Sequence, residues 1–539
     1  MNTNQGDAPQ HLYFARPWRD ALVPQTNICD TLLHWATVMP DRPYLTELLA
    51  DQGNPHTTTY GELAQHVRAA AAALRNVHDV RRGDRIAVMP RNSIDSVILL
   101  LATAYLGAEA VVLNPRDPEA RVTEQIRMSE AGLVFAEGGA GRESIEIAEF
   151  AKAARQTAPL ADPPNRHPFD TAFILFTTGS TASSKAVLLT HYNLLVNGTA
   201  LARHHGLVDG RRFLGVLPIS YANGLGLTII ANLIGGSQVY LLDRFDPLTY
   251  LSTLEAIQAN VASLVPSMLT AAVLARRIPP LPALQYFISA AAPLRTSTAR
   301  EVYDRLRMRV VQGYGLTETT NFSTTMPTDL SPSAYEEWML GKDIPPVGIA
   351  LFGNEVAVLD IDGRPLANGA EGEVCMRGHS IMAGYDRNPD ANDEAFRDGW
   401  FHSGDIGYMT SLDAGEPDRR ILTLTGRAKN IVKIGGAAVS LDEVDRALLS
   451  LPRIEDAVAL GVEDTHLGER IVIQVVSREA DASTTTATIR EALSRVLAAG
   501  LPPTRIELVA EVHRTANGKA LRRLARPETP PAIDEELDG

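Results

Sequence analysis

The chain has 539 residues, 45% hydrophobic and 21% charged, with a formal net charge of −14. That length exceeds one ordinary core and predicts roughly three or four domains or subdomains of a soluble globular protein. The acidic balance argues against a broad nucleic-acid surface, and the two cysteines, Cys29 and Cys375, cannot build a disulfide scaffold or a zinc site.

Residues 1–7 have neither the basic n-region nor the apolar h-region of a signal peptide, so a cytoplasmic location is expected. In chain order, residues 60–74 carry apolar side chains at helical spacing and 85–89 read as a buried strand. Residues 95–106 repeat the helical pattern, and 110–113 and 132–136 the strand pattern. The most apolar stretch, 96–113, carries Gly107 and Glu109 and is short for a membrane span. It reads as buried helix plus strand, and no span is expected. Residues 213–217, 237–242 and 261–265 are further buried strands. Strands alternating with helices predict an α/β layered fold with a largely parallel sheet. After about position 347 come short strands at 355–359, 372–376 and 421–424, with Asp362-Gly363 as the clearest turn, which predicts an antiparallel β unit. Residues 426–436, rich in Gly, Lys and Arg, mark a boundary. Beyond it a helix at 441–451, strands at 457–462 and 470–476 and a helix at 488–499 form an α+β module. The expected domains are therefore 1–425 and 426–525, with 526–539 a frayed tail holding three prolines and five acidic residues.

Within the first domain, the apolar run 173–176 leads into nine positions, Thr177 to Lys185, that hold six hydroxyl residues, one Gly and one Lys. Small residues let backbone pass close to a ligand, and hydroxyls and a Lys are donors for phosphate oxygens. A polar turn between two buried strands is the plainer reading, because Val187, Leu188 and Leu189 resume the apolar pattern. The segment is not a P-loop, since no Gly directly precedes Lys185 and no Ser or Thr follows it.

Further motifs follow in order: Gly313-Tyr314-Gly315-Leu316-Thr317-Glu318, Gly372-Glu373-Val374-Cys375-Met376-Arg377-Gly378, Gly399-Trp400-Phe401-His402-Ser403-Gly404-Asp405-Ile406-Gly407, Gly426-Arg427-Ala428-Lys429-Asn430 and Asn517-Gly518-Lys519. Each alone could be turn punctuation. As an ordered set they resemble the adenylate-forming enzymes: acyl- and aryl-CoA synthetases, luciferase and the adenylation domains of nonribosomal peptide synthetases. The resemblance runs from about Thr59 to Lys519. It implies a large N-terminal domain and a small mobile C-terminal lid. It also implies two steps: a carboxylate attacks the α-phosphate of ATP to give an acyl-adenylate, and a thiol then takes the acyl group.

Roles carried over by the resemblance follow the same physical logic. Thr177, Thr178, Gly179, Ser180, Thr181 and Lys185 would hold the β- and γ-phosphates. The family pattern there is usually Ser-Gly-Thr-Thr-Gly-x-Pro-Lys-Gly; here Ala182, Ser184 and Ala186 replace Gly, Pro and Gly, and Ala reaches positive φ at a cost near ~1 kcal/mol. Gln312, Gly313 and Tyr314 would face the adenine. Thr317 would touch the α-phosphate, and Glu318 would hold Mg²⁺, a hard cation that prefers oxygen. Asp405, with Arg427, would bind the ribose, and Lys429 would be the hinge. Lys519 would bridge the substrate carboxylate and α-phosphate in the first step, and Lys433 would face the site in the second.

The acid pocket maps onto Ser220, Tyr221, Ala222, Asn223 and Gly224, with Ala290, Ala291 and Gly315. Tyr221 stands where the family usually has a His. Ser220 falls about where amino-acid-activating relatives carry an Asp, and without that carboxylate a buried α-ammonium would be unpaired and costly. The expected substrate is a fatty or aryl acid rather than an α-amino acid. The acceptor is coenzyme A, which needs a basic site for its 3′-phosphate, or the phosphopantetheine of an acyl carrier protein. A nucleotide-binding protein with weak catalysis is the alternative that the altered phosphate loop motivates.

Overall fold

The structure, a computed structural model, describes residues 7–48, 55–138, 144–161, 166–177, 184–413, 416–434, 437–451, 454–464, 468–477, 489, 493, 505–514 and 522. The chain divides into two compact units. One comprises residues 1–403 with 408–423, and the other 404–407 with 424–539.

Two large sheets frame the first unit. In one, the neighbours run Gly384–Tyr385, Ala186–Thr190, Thr171–Phe176, Glu109–Val112, Arg85–Met89, Leu133–Ala136, Ile145–Glu146. The strands from Thr171–Phe176 onward pair in parallel, and the first two pair antiparallel. The other sheet has nine strands, with a parallel centre of Arg309–Gly315, Tyr286–Ser289, Val261–Ser263, Arg212–Gly215, Gln238–Leu242 and Pro43–Leu48. Parallel strands covered on both faces read as unbroken apolar runs, and Ile86, Ala87, Val88, Phe213 and Leu214 are all buried.

Local signals start and stop the helices. Thr59 and Glu62 form a reciprocal capping box at the start of Tyr60–Val77. Ser93 caps Ile94–Leu106, which ends at Gly107 with φ +73°. The segment Asn223–Ala231 is a π-helix, buried from Gly224 onward. A four-stranded sheet follows, in the order Asn354–Leu359, Gly372–Gly378, Phe401–Asp413, Glu416–Arg427. The short strand expected at 421–424 is thus part of a much longer one, because the polar residues 416–420 hide its extent. Among the described residues no helix is long and apolar enough to cross a membrane.

The second unit holds a sheet ordered Ala437–Ser440, Ile431–Ile434, Gly468–Ser477, Ile454–Asp464, with Arg505–Leu508 pairing in parallel to Gly468–Ser477. Val444 and Leu448 of the helix Leu441–Leu449 pack with Ala457, Ile471 and Ile473 in its core. The helix expected at 488–499 lies outside the described residues except for Ile489 and Leu493, both buried in that core.

Candidate active site

The hydroxyl loop hangs between two antiparallel strands. At its base Thr177 N donates to Lys185 O at 3.0 Å, and Lys185 N donates to Thr177 Oγ1 at 3.3 Å. Thr178, Gly179, Ser180, Thr181 and Ala182 lie outside the described residues. The short strand Gly384–Tyr385 joins the far edge of Ala186–Thr190, with Tyr385 opposite Val187. That register sets Lys185 Nζ 4.8 Å from the centre of the Tyr385 ring, a cation–π contact. Tyr385 Oη donates to Glu318 Oε1 at 2.9 Å, and Met382 N donates to Glu318 O at 2.8 Å. Three segments distant in sequence therefore meet around the Tyr385 side chain. Burial raises the Tyr385 pKa, and the Glu318 charge adds to it, so the phenol keeps its proton and donates.

Glu318 and Thr317 stand in a single turn, Thr317–Thr319, locked from inside: Leu316 N donates to Thr319 Oγ1 at 2.9 Å. The next residue, Thr320, has φ +68°, a position that β-branched residues rarely occupy. The preceding strand carries Gln312, Gly313, Tyr314 and Gly315. Gln312 pairs in register with Ser289 on the neighbouring strand, and both are buried. Gln312 Oε1 and Ser289 Oγ have no partner. A Cβ on Gly315 would lie 1.8 Å from the Asn321 carbonyl oxygen, so only glycine fits there. Ala290 is buried and Ala291 takes φ +72°. These residues crowd the C-terminal ends of parallel strands, where open α/β sheets hold ligands.

Where the sequence predicts the acid pocket, Asn92 fixes the chain leading to Ser220. Its Nδ2 donates to Leu242 O at 2.8 Å, and Ile219 N donates to its Oδ1 at 3.0 Å. Asn114 Nδ2 donates to Tyr221 Oη at 2.9 Å. Ser220 Oγ is buried without a partner. It lines a cleft of about 290 Å³ whose wall also carries Arg91, Arg116, Arg244 and a single carboxylate, Asp243.

In the second unit, Asp405 is buried and pairs with Arg427, Nε to Oδ1 2.7 Å. Arg427 N donates to Asp442 Oδ2 at 2.9 Å, and Asn430 Nδ2 donates to the same carboxylate at 3.0 Å. Arg522 also donates to Asp442, at 2.6 Å. Asp442 thus organises the turn that bears Arg427 and Lys429. Lys433 stands on the strand Ile431–Ile434 opposite Ala438. Lys519 lies outside the described residues.

Glu318 offers a hard carboxylate oxygen beside the hydroxyl-bearing Thr317, a donor set that fits a magnesium ion. The orphaned Gln312 Oε1 fits the amino edge of a base. Sequence reasoning missed Tyr385, Asn92, Asn114, Asn321 and Asp442. A tyrosine after Gly384 and an acid in a first helical turn carry no local mark of such partners.

Residues 32–386 match the family described as AMP-binding enzyme, and residues 443–519 match the AMP-binding enzyme C-terminal domain. A sulfoacetate–CoA ligase of Cupriavidus necator is 32% identical over 510 residues, spanning 90% of this chain and 95% of that protein. The crystal structure of ATP-bound MatB from Rhodopseudomonas palustris superposes with a TM-score of 0.79 at 26% identity, covering 93% of this chain and 98% of that one. The o-succinylbenzoate coenzyme A synthetase of Bacillus subtilis, in complex with ATP and magnesium ion, gives 0.77 at 25% identity, covering 93% and 99%. The chain belongs to the AMP-binding enzyme family, the adenylate-forming enzymes. It is an acid–thiol ligase with the large and small domains of that fold.

Proposed function

We propose that this ligase uses ATP and Mg²⁺ to turn a carboxylic acid other than an α-amino acid into an acyl-adenylate, and then passes the acyl group to coenzyme A in the cytoplasm. The carrying observation is the convergence of Lys185, Tyr385 and Glu318 at one end of the first unit's site. A carboxylate oxygen attacks the α-phosphorus, the bond to the bridging oxygen breaks, and pyrophosphate leaves. Lys185 and the loop hydroxyls balance the departing charge. Bound Mg²⁺ would neutralise phosphate oxygens, and Glu318, oriented by Tyr385, would hold it. Thr317 faces the α-phosphate, Gln312 and Tyr314 the adenine, and Asp405 with Arg427 the ribose. Lys519 draws the two anions together. In the second step the thiol sulfur attacks the acyl carbon, AMP leaves, and the thiol proton passes to solvent, with Lys433 serving this half and Lys429 the pivot.

Coenzyme A is favoured as acceptor by the arginine-lined cleft beside Ser220, which suits the additional 3′-phosphate that coenzyme A carries and a carrier's pantetheine arm lacks. The acids in the names of two relatives, sulfoacetate and o-succinylbenzoate, carry no α-ammonium, in keeping with the uncharged Ser220. Pyrophosphate exchange across a panel of carboxylic acids tests the first step. Trapping with coenzyme A against a phosphopantetheinylated carrier tests the second. Exchange with no acid would leave only nucleotide binding. Transfer to the carrier alone would reassign the acceptor.

A further inference from the structure

Polar atoms buried without a partner are uncommon, because each has given up its hydrogen bonds to water. Among the described residues they occur in many places, and four of them stand on the chain entering the π-helix and on the residue packed against it. Ser220 Oγ, both amide atoms of Asn223, and Asn321 Nδ2 all lack a partner. Ser220 is 5% exposed and Asn321 3%. The Asn321 amide lies against the helix: a Cβ on Gly226 would come within 2.9 Å of Asn321 Nδ2. Its carbonyl and the residue before it are both held by hydrogen bonds. Thr319 Oγ1 donates to Asn321 O at 2.9 Å, and Thr320 Oγ1 donates to Ser380 O at 2.7 Å. Thr320 keeps its φ of +68° within that lattice. Strain of this kind persists only where the surroundings over-determine it, and it concentrates at ligand sites. Nothing in the phosphate or adenine chemistry above uses Asn321.

Resting on the acid-activating reading, we propose that these atoms make the acid pocket selective for acids bearing a hydrogen-bond acceptor besides the reacting carboxylate. A hydroxyl, a keto group, a second carboxylate or a sulfonate all qualify. Asn321 Nδ2 donates to that acceptor, and Ser220 and Asn223 complete its shell. A plain alkyl tail would leave the three side chains unsatisfied, and an α-ammonium would set donor against donor at Asn321. Apolar walls discriminate weakly between similar acids, whereas a buried polar group left unpaired discriminates strongly.

The test is pyrophosphate exchange with straight-chain alkanoates, each matched to an acid of equal length carrying a hydroxyl, keto, carboxylate or sulfonate group at its far end. The intact enzyme should favour the best acceptor-bearing acid over its alkyl match by about 10- to 100-fold in kcat/KM. In N321L, of similar size but without the amide, that ratio should collapse while the KM for ATP stays put. In N321D, where the donor becomes an acceptor, it should fall further. S220A should lower it less. An alkanoate preferred by the intact enzyme, or N321L slowing both members of a pair equally, would overturn the proposal while leaving acid activation standing. Exchange with no acid, although ATP still binds, would overturn both.

Discussion

The two ends of the first unit's site are built on opposite terms. At the phosphate end the polar groups already answer one another: Lys185 lies on the Tyr385 ring, Tyr385 donates to Glu318, and just beyond, Asp386 pairs with Arg85 at 2.8 Å. At the acid end the Ser220 hydroxyl, the Asn223 amide and Asn321 Nδ2 have no partner. On the proposed reading, the first end is preorganised for charge that arrives with every turnover, whichever acid is used, and the second is left to be completed by the acid itself. Saturated networks hold geometry and unsaturated ones choose ligands, so activity and selectivity should break separately.

The largest effect should come from neither end. Lys519→Ala should slow adenylation by on the order of 10²–10³, as expected for one lost charge-stabilising donor, while supplied acyl-adenylate still yields thioester. Lys433→Ala should do the reverse. Single-turnover assays of each half-reaction decide it, and equal loss of both halves in both variants would refute the division of labour.

Next comes the saturated end. Tyr385→Phe frees the Glu318 carboxylate from its orienting partner. Groups that orient a metal ligand are typically worth about 10- to 100-fold. Adenylation should fall in that range and the Mg²⁺ concentration for half-maximal rate should rise, with the ranking of acids unchanged. A reordered ranking would erase the distinction between the two ends.

The smallest effect is on stability. Arg85 joins Glu109 at 2.8 Å and Asp386 at 2.8 Å, all three mostly shielded from solvent. Burial pushes the Asp386 carboxyl up, but hydrogen bonds from Arg85 and Arg387 outweigh it and hold the group below the usual carboxylate range. Its contribution is therefore present above about pH 4 and lost as the pH falls through its folded pKa. Burial raises Glu109 despite Arg85. Arg85→Met leaves both carboxyls without their main partner and should cost about 2 kcal/mol at pH 7, discounted for partial exposure. Protonation relieves that cost, so the gap should narrow towards pH 4. Urea midpoints at the two pH values would show it, and a gap that widens on acidification would contradict the assignment.

The framework of the first unit was legible because burial writes itself into local pattern. The strand read at 85–89 is Arg85–Met89, and the helix read at 60–74 extends only to Val77. The π-helix escaped notice because it is buried nearly all round, so no amphipathic stripe marks it. The ordered motifs pointed to Glu318, Lys185, Asp405 and Arg427, and the structure brings Lys185 to Glu318 through Tyr385 and Asp405 to Arg427. Tyr385 itself was not legible. It meets Glu318 across 67 positions of sequence, and no local periodicity records a contact of that range. Asn321 was hidden for the same reason: its importance lies in a partner that is missing, and a sequence does not show unmet hydrogen bonds.

The segment Asn223–Ala231 carries one further consequence. An α-helix turns 3.6 residues at a time, whereas π winding is wider and usually marks a residue inserted at a functional place. One residue gained or lost there would rewind the coil and present different side chains to the acid, with the sheet beneath left alone. If the proposed acid pocket is right, chain length in this one segment is a second dial on substrate choice, independent of which amino acids occupy it.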